Sequence, residues 1–213
     1  MDAFIRSDQY HFIQNETQNL LNGHRTTTDS SVTQALTSLS SEKALDVFDT
    51  LTKEQSALIR QIEHVQEETD AIFYFSRLKH YVIPFPKLTD AEIQLLFPKV
   101  KKLQVPEFDE SDWSEMSYMG WNDPAANRKY LITKVEGRYT GLYGHFLPSR
   151  QNNICTICHE QEQVGLFTVT GPGNDSGESV SRGNYICYDS RKCNENIKSR
   201  KPLETFIRRM MNQ

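Results

Sequence analysis

The sequence predicts an α+β protein: an antiparallel four-helix bundle over about residues 1–80, followed by a sheet-and-helix domain over about 81–213. Three observations carry this. Through the first eighty positions apolar residues recur at three- and four-residue steps, the period of a helix with one buried face. Between Asn127 and Phe146 the period switches to two, the signature of strands. Finally, the only four cysteines fall in two pairs, Cys155 with Cys158 and Cys187 with Cys193.

In chain order, Ser7 is placed to cap a first helix whose Tyr10, Ile13, Leu20 and Leu21 share a face and which Gly23 can end. A polar stretch from Thr26 to Ser31 follows. Val32, Leu36 and Leu39 then mark a short second helix, and Ala44, Val47 and Phe48 a third that begins near Ser40 or Ser41. The fourth has the strongest pattern. Thr52 and Gln55 make a capping box, after which Leu58, Ile62, Val65, Ile72, Phe75 and Leu78 hold one face for about seven turns, so a single spine is expected. Glu63, Glu67, Glu68 and Asp70 are assigned to its solvated side. Helices this short need one another, which is why a bundle is expected.

Pro84 and Pro86 break helical continuity, and the domain boundary is placed there. Thr89 with Glu92 is a second capping box, with Leu88 and Ile93 in staple positions, and Pro98 closes this helix. Lys99 to Val105 reads as an edge strand whose lysines discourage aggregation. The runs 128–134 and 139–146 form a hairpin around Glu136 and Gly137. A second hairpin pairs 164–169 with Tyr185 and Ile186 through a Gly/Ser-rich connection, Thr170 to Ser179, which lacks the Lys-Ser/Thr ending of a phosphate loop. Beyond Pro202, Leu203, Phe206, Ile207 and Met210 form the apolar stripe of a final helix.

The cysteines organise this second half. A Cys-x-x-Cys turn lets two thiolates converge on one metal at about 2.3 Å each, and a second pair completes a tetrahedron. Cys187 would end the strand 183–186. Ser190 is a natural N-cap that puts Cys193 in a first helical turn, where the helix dipole favours a thiolate. Knuckle, hairpin and ligand-bearing helix describe a treble-clef finger over about 150–213 with one structural zinc. His159 is read as a surface residue. Two disulfides or four free thiols are the rival readings. The opening residues Met1 to Arg6 hold no charged segment leading into an apolar run, so an oxidising compartment is not expected, and the even count and paired spacing favour zinc.

A tetrathiolate site leaves no open position for water or substrate, and no hydrolase, phosphate-loop, dinucleotide or metalloprotease pattern is present, so no catalysis is expected. The chain is 37% hydrophobic and 24% charged, ordinary for a soluble globular protein, and has no apolar run long enough to span a membrane. Its net charge of −4 is uneven: residues 1–80 carry 7 basic against 12 acidic side chains, whereas 182–213 carry 8 against 3.

The motifs Gly120-Trp121-Asn122, Asn127-Arg128-Lys129-Tyr130, Gly141-Leu142-Tyr143-Gly144, Cys155-Thr156-Ile157-Cys158, and Tyr185-Ile186-Cys187 with Ser190, Cys193 and Asn194 resemble the FusB/FusC family at nearly constant spacing along the whole chain. These are elongation-factor-G-binding proteins associated with fusidic acid resistance. The resemblance implies a helical bundle followed by a treble-clef zinc domain, zinc on Cys155, Cys158, Cys187 and Cys193, and a monomer in the cytoplasm. It also implies binding to elongation factor G, with the ribosome engaged only indirectly, so that a factor trapped by the drug is released. Carried over by position, the partner surface comprises Ile154, Arg182, Tyr185 and Phe206. At 154 the sequence departs from relatives with an aromatic residue there. Core roles for Ile154 and Phe206, and charge neutralisation of the metal cluster by Arg182, Arg191 and Lys192, remain alternatives. Direct RNA binding through the basic stretch 182–213 and the fibronectin-binding label of some relatives are further function classes.

Overall fold

The computed structural model describes residues 1–172 and 179–211. The chain divides into two compact units, Met1–Ile83 and Pro84–Gln213.

The first unit is helical: α1 (Ser7–Thr26), α2 (Ser30–Asp46), α3 (Lys53–Ile59) and α4 (Glu68–Lys79). Its core gathers Ile5, Ile13, Leu20, Ala44, Ile59, Ile62, Val65, Ala71, Tyr74 and Leu78. Arg6, not Ser7, occupies the cap of α1, and its backbone N–H donates to the Gln9 side chain at 2.9 Å. Gly23 does not end α1, which runs on to Thr26. A Cβ there would sit 2.7 Å from Leu36 Cδ1, so the glycine leaves room for the Leu36 side chain of α2. The expected second and third helices are one, α2, capped by Asp29. Ser40 and Ser41 are buried inside it, and Ser41 donates to the Glu63 carboxylate instead of capping a new start.

The expected single spine from Thr52 to Leu78 is broken. After α3 a 3₁₀ turn spans Arg60–His64, and the chain restarts at α4. The acidic cluster explains the break. Asp70 accepts from the backbone of Gln66 and Glu67 at 3.0 and 3.1 Å, so these carboxylates begin a helix whose first-turn donors would otherwise lack partners. The interruption also shifts the phase: Ala71, Tyr74 and Leu78 face inward, while Ile72 is 65% exposed. Tyr74 is anchored by its hydroxyl, which donates to the Ile59 carbonyl at 2.8 Å, and burial pushes its phenol far above the usual range. A parallel bridge pairs Ile5 with Val82 and ties the start of this unit to its end.

In the second unit α5 (Asp90–Leu96) keeps its capping box, with Thr89 and Glu92 exchanging bonds of 2.8 and 3.3 Å. Lys99–Val105 is not a strand. Val100 and Leu103 reach a core from irregular backbone, and the Gln94 side chain supplies what a ladder would have supplied, donating to the carbonyls of Phe97 and Val100. The sheet contains β1 (Met119–Asp123), β2 (Arg128–Val135), β3 (Arg138–Ile154), β4 (Gln161–Pro172) and β5 (Ser179–Cys187), antiparallel and in chain order. Glu136 and Gly137 both have positive φ, +49° and +82°, as the two-residue turn between β2 and β3 requires. Of the connection between β4 and β5, residues 173–178 lie outside the described residues.

Alternation along the strands makes two cores. On one face Phe97 meets Trp121 and Tyr130 edge-on, together with Ile93 and Ile132. On the other, Leu131, Phe146, Phe167 and Ile186 pack against α6 (Ser190–Asn196) and α7 (Arg200–Met211) through Leu203, Phe206, Ile207 and Met210. Pro202 lies in the first turn of α7, where its missing N–H costs nothing.

Candidate metal centre

The site stands where β3 and β5 end. Ile154 closes β3, and Cys155 opens a tight turn in which the Cys155 carbonyl accepts from the His159 backbone at 2.9 Å. His159 takes the left-handed conformation that turns the chain back into β4, and its side chain stays exposed. Cys187 is the last residue of β5, and its backbone N–H donates to Cys155 Sγ at 3.3 Å, as does that of Ile157. Cys193 lies on α6. The cap of that helix is Asp189 and not Ser190: its carboxylate accepts from the backbone of Arg191 and Lys192 at 2.8 and 3.3 Å.

These elements bring all four sulfurs within 4.8 Å of one another. Two of the separations, Cys155 to Cys193 and Cys158 to Cys187, are 3.9 and 3.7 Å. Disulfides would require about 2.05 Å. A tetrahedron with metal–sulfur bonds of about 2.3 Å has edges of about 3.8 Å, which the observed spacing matches. The four side chains are buried.

Thiolates this close repel one another, so the four cannot all ionise on their own. Hydrogen bonds from Cys158, Cys187 and Cys193 hold Cys155 far below the ordinary thiol range, while the Cys155 and Cys158 contacts push Cys187 well above it. Burial drives Cys193 upward. A divalent cation resolves that conflict by allowing every sulfur to ionise. A second observation fits the same cation: the buried Tyr118 hydroxyl faces Cys193 and Ser190, and burial first, then the charge of Cys193, raises its pKa. An electron-rich metal thiolate at Cys193 is a suitable acceptor for such a phenol.

Two further residues bind this cluster to the sheet, and sequence reasoning did not assign them. Asn194 is buried, accepts from the backbone of Ser117 and Tyr118 at 2.7 and 3.1 Å, and donates to the carbonyls of Tyr118 and Ser190, clamping α6 against the entry to β1. Lys129 is fully buried, and its ammonium donates to Asn122 Oδ1 at 3.0 Å and to the Tyr188 carbonyl at 2.8 Å. Burial brings its pKa down to about 8, against the pull of Cys193 and Cys187. Both lie in quoted motifs, and the alternation of β2 already puts 129 on the same face as Leu131.

Of the four expected partner-binding residues, Ile154 is 55% and Tyr185 43% exposed. They adjoin the cysteine turn, since the Thr156 backbone donates to the Tyr185 carbonyl. Phe206 is 1% exposed, with its ring 5.8 Å from Phe167, so it supports the sheet from beneath and offers no contact area. Arg182 lies three residues before Tyr185 on an unbroken strand and therefore projects from the opposite face, so these two of the expected residues do not share one surface. Two residues missed by the sequence reading stand beside Tyr185 instead. Leu147 pairs with Leu166, and Leu166 with Tyr185, making an exposed apolar row across β3, β4 and β5. Strand register is what reveals it, and it depends on a bulge in β3 between Pro148 and Asn152.

Residues 4–86 match the family described as "Elongation factor G-binding protein, N-terminal", and residues 97–212 match "FBP C-terminal treble-clef zinc-finger". Among solved structures, the chain is similar to one described as "Structure of the fusidic acid resistance protein FusC", with 27% identity, 98% of each chain covered and a TM-score of 0.83. No curated protein matches the sequence.

Proposed function

Since the chain belongs to the elongation factor G-binding family with a treble-clef zinc finger at its C-terminal end, we propose that it binds elongation factor G and frees it from ribosomes stalled by fusidic acid. The observation that carries this reading is the likeness along the full length of both units, shared with a fusidic acid resistance protein. Cys155, Cys158, Cys187 and Cys193 hold one structural zinc, a closed site that shapes a docking surface and does no chemistry. The protein acts in the cytoplasm as a monomer on one copy of its partner. Among the described residues no helix is long and apolar enough to cross a membrane.

The surface beside the zinc suits a protein partner. Tyr185, Leu166, Leu147 and Ile154 supply exposed apolar area, and Phe206 holds the strands that present it. Much of the basic stretch is committed internally: Lys192 reaches Glu195 at 3.3 Å, Lys198 reaches Glu160 at 2.7 Å and Arg208 reaches Glu136 at 3.4 Å. That weakens the direct RNA reading. Binding alone can release a trapped factor if the protein prefers the conformation that the ribosome holds poorly, because a ligand shifts an equilibrium only by its differential affinity.

Calorimetric titration with purified elongation factor G tests this. A saturable complex of one to one is expected, together with about one zinc per chain by metal analysis. No heat and no complex with the factor would refute the function, and binding to RNA alone with a steep salt dependence would replace it.

A further inference from the structure

Lys129 is the one lysine or arginine among the described residues that the fold buries completely. Its ammonium has two acceptors, both neutral, and the Phe146 ring 5.2 Å away. No carboxylate among the described residues lies within ion-pair distance of it. Burying a full positive charge on neutral partners is costly, and a fold keeps such an arrangement where a compensating charge is near.

The geometry supplies that charge. Tyr188, whose carbonyl accepts from Lys129, directly follows Cys187, and the same carbonyl accepts from Asn122 Nδ2 at 3.0 Å. Zinc with four thiolates carries a net charge of about −2, enclosed in the same core as Phe146 and Leu131. The exposed cations of α6, Arg191 and Lys192, reach toward Glu195 and lie in water, where their field is screened. A buried ammonium is not screened in this way.

We propose that Lys129 is the built-in counter-ion of the zinc tetrathiolate, positioned by Asn122 and the Tyr188 carbonyl, and that its charge keeps zinc in the protein. The proposal rests on the zinc reading above. It makes β2, more than fifty positions before the second cysteine pair, part of the metal site, and it assigns to Asn122 the task of aiming that charge.

The test uses the full chain and follows zinc transfer to a chromogenic chelator. Lys129→Met removes the charge and keeps the length; Lys129→Arg keeps the charge. Asn122→Asp retains an acceptor for the ammonium but neutralises it with a carboxylate. Lys129→Met and Asn122→Asp are expected to lose zinc about tenfold faster or more than the parent, and Lys129→Arg to fall closer to the parent. The thermal midpoint of Lys129→Met should drop more in the zinc-loaded than in the chelator-treated protein. Zinc release unchanged within about twofold in a folded Asn122→Asp or Lys129→Met chain would overturn the proposal, as would an equal drop in midpoint with and without metal. A parent chain that carries no zinc would instead defeat the zinc reading and this proposal with it.

Discussion

The helical unit and the zinc-bearing unit are stabilised in different ways. In the first, one apolar cluster draws on every helix, from Ile5 and Ile13 through Ala44 to Leu78. In the second, two clusters flank a sheet, and the far end of that sheet is gathered onto four sulfurs. Distributed packing tolerates loss in increments of a few kcal/mol. A metal centre concentrates folding free energy at a point, on the order of 10 kcal/mol in small fingers. The two units should therefore fail in different ways.

Cys155→Ser is expected to have the largest effect. It should release zinc, unfold the second unit and abolish factor binding while the helical circular dichroism of the first persists; loss of both units together would show that they do not fold independently. Phe206→Ala should then destabilise the zinc-bearing unit by about 3–5 kcal/mol in a denaturant titration, the cost of emptying an aromatic site that is 1% exposed. Ile62→Ala, at 0% exposure, should cost the helical unit about 2–5 kcal/mol and leave zinc content unchanged. Tyr185→Ala should hardly move stability but weaken factor binding by about 1–3 kcal/mol in calorimetry, the reverse of the Phe206 result. Smallest is Thr52→Ala: its hydroxyl accepts from the Gln55 backbone at 3.2 Å, and losing that cap should cost about 1 kcal/mol.

How much could be seen in advance also differs between the units. The cysteine spacing named the metal centre, because two short intervals and a hairpin leave the sulfurs few places to go. The Thr89 and Glu92 box and the turn at Glu136 and Gly137 were legible for the same reason, each being a local rule obeyed locally. The long helix failed because Ile62 and Val65 continue an apolar period that Asp70 overrides from the far side of the break. A heptad of apolar residues says nothing about a cap inside it. The strand at Lys99–Val105 failed because its alternation is real but its backbone partners are the Gln94 amide and the Phe97 carbonyl. At the site, the exposed row of Leu147, Leu166 and Tyr185 needs the register across three strands, and one bulge decides it.

Pairing of the strands in strict chain order has a consequence for how the molecule is made. A meander grows one hairpin at a time, without waiting for distant segments, so sheet formation can keep pace with synthesis. The second cysteine pair trails the first by some thirty positions, with Cys158 and Cys187 separated by 29. At ribosomal rates of about 5–20 residues per second, the first pair waits roughly 2–7 s until Cys193 completes its complement. The metal ligands are thereby complete before α7, with its Leu203 and Phe206, has left the ribosome to pack beneath the sheet.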